Sequence, residues 1–158
     1  LQSTDILLLI AWLREPHVAR WWAKEAAMTG EQLQQKYMAK ITATQQLALI
    51  ILLDDVPIGY LQAQDLTTAC EWRLDTVPGT WSLDLFIGNG TLLGRGLGTC
   101  IVQAGVAFLF TKPAINRIIC DPHPGNVAAI RCYEKAGFKK IKQLVTPDGD
   151  ALLMAIEK

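Results

Sequence analysis

Gly94-Arg95-Gly96-Leu97-Gly98-Thr99 runs without a break into the apolar stretch from Cys100 to Phe110, and the fold turns on how that junction is read. Three glycines on alternate positions strip side chains from a turn where backbone can approach a ligand closely. The residues that follow lack charge and have helical length, so the spacing predicts a helix that must be buried. The first N–H groups of such a helix have no partner within it, and its positive dipole end faces the turn. Both suit a phosphate. Arg95 can add a charge-assisted contact. The turn lacks the Lys-Ser/Thr ending of a nucleotide P-loop, and it lies too late in the chain for the first turn of a dinucleotide fold. A structural turn without a ligand satisfies the same pattern.

Upstream, Ser3, Thr4 and Asp5 offer caps to a helix over Ile6 to Leu13, with Pro16 beyond its end. Thr29 and Gln32 have capping-box spacing and open a helix carrying Leu33, Tyr37 and Ile41 on one face. Leu47 to Leu53 reads as a strand, Asp54-Asp55-Val56-Pro57 as a turn, and Ile58 to Gln64 as the returning strand. Trp81 to Ile87 is a third strand. Downstream, Lys112-Pro113 stops the apolar helix and Arg117 to Cys120 is a short strand. Gly125-Asn126 begins a further helix that ends on Gly137 as a left-handed cap. Phe138 to Val145 and Ala151 to Ile156 are the last strands, joined by the turn Thr146-Pro147-Asp148-Gly149. Helices first, then strands alternating with helices, predict an α/β (α+β) sheet with helices packed on it.

The 158 residues suit one domain spanning 1–158, and 51% hydrophobic residues suffice for a sizeable core. The chain opens on Leu1 rather than Met, as a trimmed chain or a fragment does. The element order leaves room for a first strand missing before residue 1. With 19% charged residues and a formal net charge of zero, no global field draws the chain to nucleic acid or membrane. A charged partner has to be recognised by a local cluster. The cysteines, Cys70, Cys100, Cys120 and Cys132, form no CxxC pair, and His17 and His123 are the two histidines. No metal site is expected. Each cysteine lies in an apolar stretch, which points to reduced core thiols in a cytoplasmic protein. Apolar runs are too short to span a bilayer, and no charged leader with a cleavage site is read at the start.

The second segment that carries chemistry is Asn126-Val127-Ala128-Ala129-Ile130-Arg131-Cys132-Tyr133. Residues seven apart on a helix share one face about 10.5 Å along it. Asn126 can therefore hold a ligand amide while Tyr133 reaches a second point on the same ligand. A phenol with a reference pKa near ~10 can protonate a thiolate leaving group. The plainer alternatives are that Asn126 only caps the helix and that Tyr133 only packs in the core.

These two segments, with Glu134-Lys135-Ala136-Gly137-Phe138 after them, resemble the GCN5-related N-acetyltransferases. The resemblance implies a single domain with a mixed, mostly antiparallel sheet, splayed at the acetyl-CoA site, and helices on both faces. It assigns the coenzyme pyrophosphate to Gly94, Arg95, Gly96, Leu97, Gly98 and Thr99, and further cofactor contacts to Leu85, Phe86, Ile87, Asn126, Ala129 and Tyr133. Tyr133 would lie near the thioester sulfur. Where Leu93 stands, that family often has Gln or Arg; backbone amides do most of the binding, so the pocket can lose that side chain. Trp12-Leu13, His17, Trp21-Trp22, Pro57-Ile58-Gly59-Tyr60, Asp121-Pro122, Arg131 to Phe138 and Thr146 to Gly149 narrow the likeness to the aminoglycoside 6'-N-acetyltransferases. It covers almost the whole chain. Asp65 to Thr80 departs from the pattern, and in those enzymes that segment helps line the antibiotic pocket.

What the resemblance implies is direct acetyl transfer from acetyl-CoA to a primary amine, the 6'-amine of an aminoglycoside, without a metal. A polycationic small molecule needs carboxylates, and the chain offers Asp65, Glu71, Asp75, Asp84, Asp121 and Asp148. Asp84 sits inside an apolar strand, where burial raises its pKa and an ammonium lowers it. By resemblance it takes a proton from the attacking amine or orients it, while a backbone N–H between Leu85 and Ile87 steadies the oxyanion. Asp121 ends a strand at a position open to a site. Asp148 is a turn residue that only the resemblance promotes to a substrate contact, and Glu71 and Asp75 read as solvated loop charges. Trp21 and Trp22 would wall a sugar ring, with at least one of them in the core. His17 reads as a packing or capping residue, and His123 has no role. Cys132 points away from the Tyr133 face, so no acyl-cysteine is expected. The alternatives are the same chemistry on a siderophore hydroxylamine, a polyamine or a protein N-terminus, or an acyl-CoA-binding module without turnover. The chain would act as monomer or homodimer.

Overall fold

The computed structural model describes residues 1–67 and 77–158. Its elements run α1 (Ile6–Leu13), α2 (Pro16–Ala19), α3 (Ala23–Ala26), α4 (Gly30–Thr42), β1 (Gln46–Leu53), β2 (Val56–Asp65), β3 (Thr80–Ile87), α5 (Leu97–Phe110), β4 (Arg117–Cys120), α6 (Val127–Lys135), β5 (Lys139–Thr146) and β6 (Gly149–Glu157). The strands form an open, mixed six-stranded sheet in the order β1-β2-β3-β4-β6-β5. Cys70, Glu71 and Asp75 lie outside the described residues. The chain divides into two compact units, Leu1–Gln62 with Leu85–Arg95, and Ala63–Asp84 with Gly96–Lys158.

In the first unit, α1 buries Ile6, Leu9, Trp12 and Leu13 and leaves Leu7 outside. The Arg14 guanidinium at its end donates to the carbonyls of Ala26 and Met28. Thr29 and Gln32 form the expected capping box, at 3.2 Å and 2.8 Å, and start α4. Two orphan donors are thereby satisfied where the helix begins. Leu33 and Tyr37 of α4 then join Tyr60 and Phe86 in the core. Tyr37 meets Tyr60 edge-on at 5.5 Å, and Trp22 meets Phe86 edge-on at 5.1 Å. Such pairs contribute roughly 0.5–1.5 kcal/mol each beyond the area they bury.

The β1–β2 turn is tighter than the four residues expected. Only Asp54 and Asp55 turn, with φ of 49° and 62°, and Val56 and Pro57 already belong to β2. A two-residue hairpin turn of this hand needs both central residues at positive φ, which Asp tolerates. On β2, a Cβ at Gly59 would stand 2.3 Å from the Phe86 carbonyl oxygen, so the two backbones approach as only glycine permits.

In the second unit, β3 runs parallel to β4 with Thr80↔Arg117, Trp81↔Ile118 and Ser82↔Ile119 in register. The β4–β6 and β5–β6 pairs are antiparallel, and the β5–β6 register shifts between Lys140 and Lys142. Leu66, Ile119, Leu153 and Ala155 pack together as one core cluster. The expectation of a wholly buried α5 needs correction. It starts at Leu97 and buries only the stripe Ile101, Val102, Gly105, Val106 and Leu109. Its other face, with Gln103, Ala104, Ala107 and Phe108, is exposed. The helical period sets this stripe; Gln103, Ala104 and Ala107 suit the watered outer face, and Phe108 is an isolated exposed hydrophobic on it. For the same reason Cys100 is an exposed thiol rather than a core one, whereas Cys120 is buried and Cys132 half-buried.

The close approach at Gly59 sets one expectation. Gly59→Ala forces Cβ against backbone that cannot yield, and should cost about 2 kcal/mol or more in urea unfolding. Gly30→Ala, with open space around it, should be neutral or stabilising. Equal stabilities for the two variants would contradict the packing described.

Candidate active site

The glycine turn has the conformation its sequence demands. Gly94 and Gly96 adopt φ of +73° and +81°, and nothing lies within 4 Å of a Cβ built on either. Backbone conformation, not lack of room, therefore excludes other residues. Gly96 caps α5 without a side-chain contact, and its carbonyl accepts from Thr99 (3.1 Å) and Cys100 (3.4 Å). The amides of Leu97 and Gly98 come earlier in that first turn, where no helical carbonyl can reach them. Arg95 is exposed and Thr99 half-buried. A turn lined by backbone N–H at a positive helix end fits a pyrophosphate.

The second unit also places α6 against this helix start. A Cβ on Gly98 would lie 3.0 Å from the Cys132 sulfur, so α5 and α6 meet where glycine faces thiol. Asn126 caps α6, its side-chain oxygen accepting from the Ala129 N–H at 3.2 Å. The cap reading of Asn126 therefore holds, whatever else its amide reaches. Ala129 is half-buried one turn on.

Tyr133 follows on α6, only 6% exposed. Its hydroxyl donates to the Leu83 carbonyl at 3.2 Å, and its ring meets Phe138 edge-on at 5.2 Å. Leu83 is the residue just past the last β3–β4 register pair, Ser82↔Ile119. A side-chain hydroxyl takes over where the strand-to-strand ladder ends. Burial pushes the Tyr133 pKa well above the ordinary phenol range, and the nearby Cys120, Asp84, Asp121 and Cys132 push it further the same way. Asp84 and Asp121, both half-buried, thus belong to the electrostatic surroundings of the phenol.

Two other expected acids, Asp65 and Asp148, sit in turns. Asp65 accepts from the Thr67 N–H (2.9 Å) and hydroxyl (2.5 Å), closing a turn at the end of β2. Asp148 is exposed, and its N–H donates to the Thr146 hydroxyl at 3.0 Å, as its turn chemistry predicts. His123 accepts from the Gly125 N–H at 2.9 Å in its loop. No group of three His, Cys, Asp or Glu side chains is placed to hold a metal ion, and no helix is long and apolar enough to cross a membrane, among the described residues.

In the first unit, Trp22 packs on Tyr60 and Phe86, so it is the core member of the tryptophan pair. Trp21 is half-buried, with the Arg20 guanidinium 4.8 Å from its ring centre. Leu85 is half-buried, and Phe86 and Ile87 are buried. Sequence reading missed how heavily the end of β3 is held. The His17 Nε2 lies 3.0 Å from the Ile87 carbonyl, and the Gly88 N–H donates to Ile58 at 2.8 Å. A Cβ on Gly88 would sit 2.2 Å from the Trp12 ring. The glycine at 88, followed by Asn89-Gly90, was the one sequence signal that backbone is approached closely there.

Comparison with known proteins places this geometry. Residues 2–146 match the family model for the acetyltransferase (GNAT) domain. The chain is 38% identical over 154 residues to an aminoglycoside N(6')-acetyltransferase type 1 of Klebsiella pneumoniae, covering 95% of this chain and 77% of that one. It is 30% identical over 161 residues to a lysine N-acyltransferase of Mycobacterium tuberculosis, covering 99% and 74%. Among solved structures, aminoglycoside acetyltransferase AAC(6')-Ib in complex with coenzyme A and kanamycin superposes with a TM-score of 0.89 at 35% identity, over 100% of this chain and 92% of that one.

A raised phenol pKa carries a sign. The fold favours the neutral phenol, so the stability it contributes is whole below the reference pKa of ~10 and is lost as pH rises through the raised value. Burial also raises Tyr37, whose hydroxyl has no partner among the described residues. Urea midpoints should therefore fall above pH ~10, and fall less steeply in Tyr133→Phe and in Tyr37→Phe. Unchanged slopes would contradict the burial of these hydroxyls.

Proposed function

The chain belongs to the GNAT acetyltransferase family and is an acetyl-CoA-dependent N-acetyltransferase; from that premise we propose that its acceptor is the 6'-amine of an aminoglycoside. The observation that carries this reading is the buried Tyr133, its hydroxyl on the Leu83 carbonyl, with Asp84 and Asp121 in its electrostatic surroundings. A proton donor for a leaving thiolate and carboxylates for a polycation then belong to one cluster. The identity to an aminoglycoside N(6')-acetyltransferase supports the choice of acceptor.

Acetyl-CoA supplies the activated acyl group as a thioester. The chain's part is to bind, orient and move protons. The amides at the start of α5 and the Gly94–Thr99 turn hold the pyrophosphate, with Arg95 as an added cation. A backbone N–H from Leu85 to Ile87 faces the thioester oxygen. The neutral amine attacks the carbonyl carbon. A C–N bond forms, the C–S bond breaks, and the proton shed by nitrogen passes to Asp84, directly or through water. Tyr133 gives its proton to the departing sulfur and recovers one from solvent.

The raised pKa of Tyr133 keeps that proton in place at neutral pH but also weakens the acid. A polycation resolves the conflict. Burial holds most of the phenol's pKa up; when ammonium groups of the acceptor approach Asp84 and Asp121, they offset the further rise those carboxylates add, and the acid strengthens to that extent once substrate is bound. Asp121 and Asp148 serve the remaining ammonium groups. The 30% identity to a lysine N-acyltransferase favours one second reading, transfer to an amine of a lysine-like acceptor.

The test is free-thiol release from acetyl-CoA against kanamycin, tobramycin, spermidine and lysine. Turnover on aminoglycosides with a 6'-amine, lost on those with a 6'-hydroxyl, is expected; turnover on lysine alone would move the acceptor. Tyr133→Phe should lower kcat by about 10²-fold with little change in coenzyme affinity, and Asp84→Asn should lower it comparably at neutral pH. Equal turnover in Tyr133→Phe would remove it as the acid.

A further inference from the structure

We propose that His17 is a positioning residue for acetyl-CoA: its imidazole locks the end of β3 so that the peptide edge offered to the coenzyme is set in advance. The inference rests on the reading of this chain as an acetyl-CoA enzyme. The Ile87–Gly88 peptide is held at both polar ends. Its carbonyl lies 3.0 Å from the His17 Nε2, and its N–H donates to the Ile58 carbonyl of β2 at 2.8 Å. A carbonyl only accepts, so Nε2 carries the hydrogen in this contact. The same ring backs the turn that follows, with Cε1 3.3 Å and Nδ1 3.4 Å from a Cβ built on Gly90. Trp12 closes the Gly88 side, where an added Cβ would lie 2.2 Å from its ring.

Strand alternation gives this lock a direction. Along an extended strand the N–H and C=O of one residue share a side, and the next residue faces the other way. The Gly88 N–H reaches β2, and the Phe86 oxygen faces Gly59 on β2. The polar groups of Leu85 and Ile87 therefore lie on the edge away from β2. On that edge the Ile87 oxygen is already taken by His17. Among the described residues, the β3–β4 register ends at Ser82, so what remains on that edge for a ligand is the N–H and C=O of Leu85 and the N–H of Ile87, within the segment proposed to meet the thioester arm. A ring that anchors the neighbouring carbonyl and supports Gly90, four residues before Gly94, fixes that edge without touching the coenzyme. Preorganised backbone donors lose effect when misplaced by fractions of an ångström.

The experiment is titration of coenzyme A into the purified full chain by calorimetry, alongside steady-state kinetics, for His17→Leu, His17→Gln, Gly90→Ala and His17→Ala/Gly90→Ala, with melting temperatures. His17→Leu keeps bulk but loses the donor, and should weaken coenzyme A binding and raise the acetyl-CoA KM by about tenfold, leaving the acceptor KM within about twofold. His17→Gln, which restores an N–H donor, should recover most of that loss. Gly90→Ala should raise the acetyl-CoA KM in the His17 protein but not in the His17→Ala background, where no ring remains to displace. His17→Leu with wild-type coenzyme affinity, His17→Gln as defective as His17→Leu, or Gly90→Ala equally harmful in both backgrounds would each overturn the proposal. If His17→Leu does not fold, the Gly90 pair decides alone. Wild-type protein that binds coenzyme A but acetylates no aminoglycoside defeats the acceptor assignment and leaves this inference to be judged on affinity.

Discussion

The hydrogen bond from the Tyr133 hydroxyl to the Leu83 carbonyl, 3.2 Å long, is the contact on which the rest of the account depends. It stands at the first residue of β3 past its register with β4, where a parallel ladder gives way to a side chain. A strand edge that stops pairing leaves backbone donors and acceptors that need other partners. Here α6 supplies one partner for Leu83, and the residues that follow on β3 are those proposed to meet the thioester. The bond also fixes where the phenolic proton waits. Burial and the carboxylates of Asp84 and Asp121 keep that proton on oxygen.

The same economy of backbone governs the other end of β3. Gly59 and Gly88 are glycines because a carbonyl and a tryptophan ring occupy the space a Cβ would need. His17, Trp12 and Ile58 then hold the Ile87–Gly88 peptide from several sides. Gly94 and Gly96, by contrast, have open space around them and are held to glycine by positive φ. One set of glycines buys close packing and the other buys a turn, and the sequence alone does not tell the two apart.

Much of the fold was legible because its signals are local. The Thr29–Gln32 capping box, the Trp81-to-Ile87 strand and the Thr146–Gly149 turn are written in residues within a few positions of each other. The glycine turn and the Asn126 cap were legible for the same reason. What sequence misjudged is decided by neighbours distant in the chain. The outer face of α5, and Cys100 on it, read as core because apolar composition does not reveal which stripe meets a partner. For Asp65, read as a substrate acid, the sequence did not show that its carboxylate also closes a turn with Thr67. His17 lies 70 residues from Ile87, so nothing local marks it as more than a packing residue. The resemblance marked Asp84 at the acetyl site and a strand end marked Asp121, but that both act on Tyr133 is a relation between residues far apart in the chain.

The most direct test of the central claim is the titration of Tyr133 itself by nuclear magnetic resonance, with 13Cζ-labelled tyrosine and its signal assigned by loss in Tyr133→Phe. A neutral phenol that persists well above pH ~10 in the free protein, and whose 13Cζ signal shifts when coenzyme A is added, is expected. A phenol that ionises near ~10 and does not respond to coenzyme A would contradict this reading.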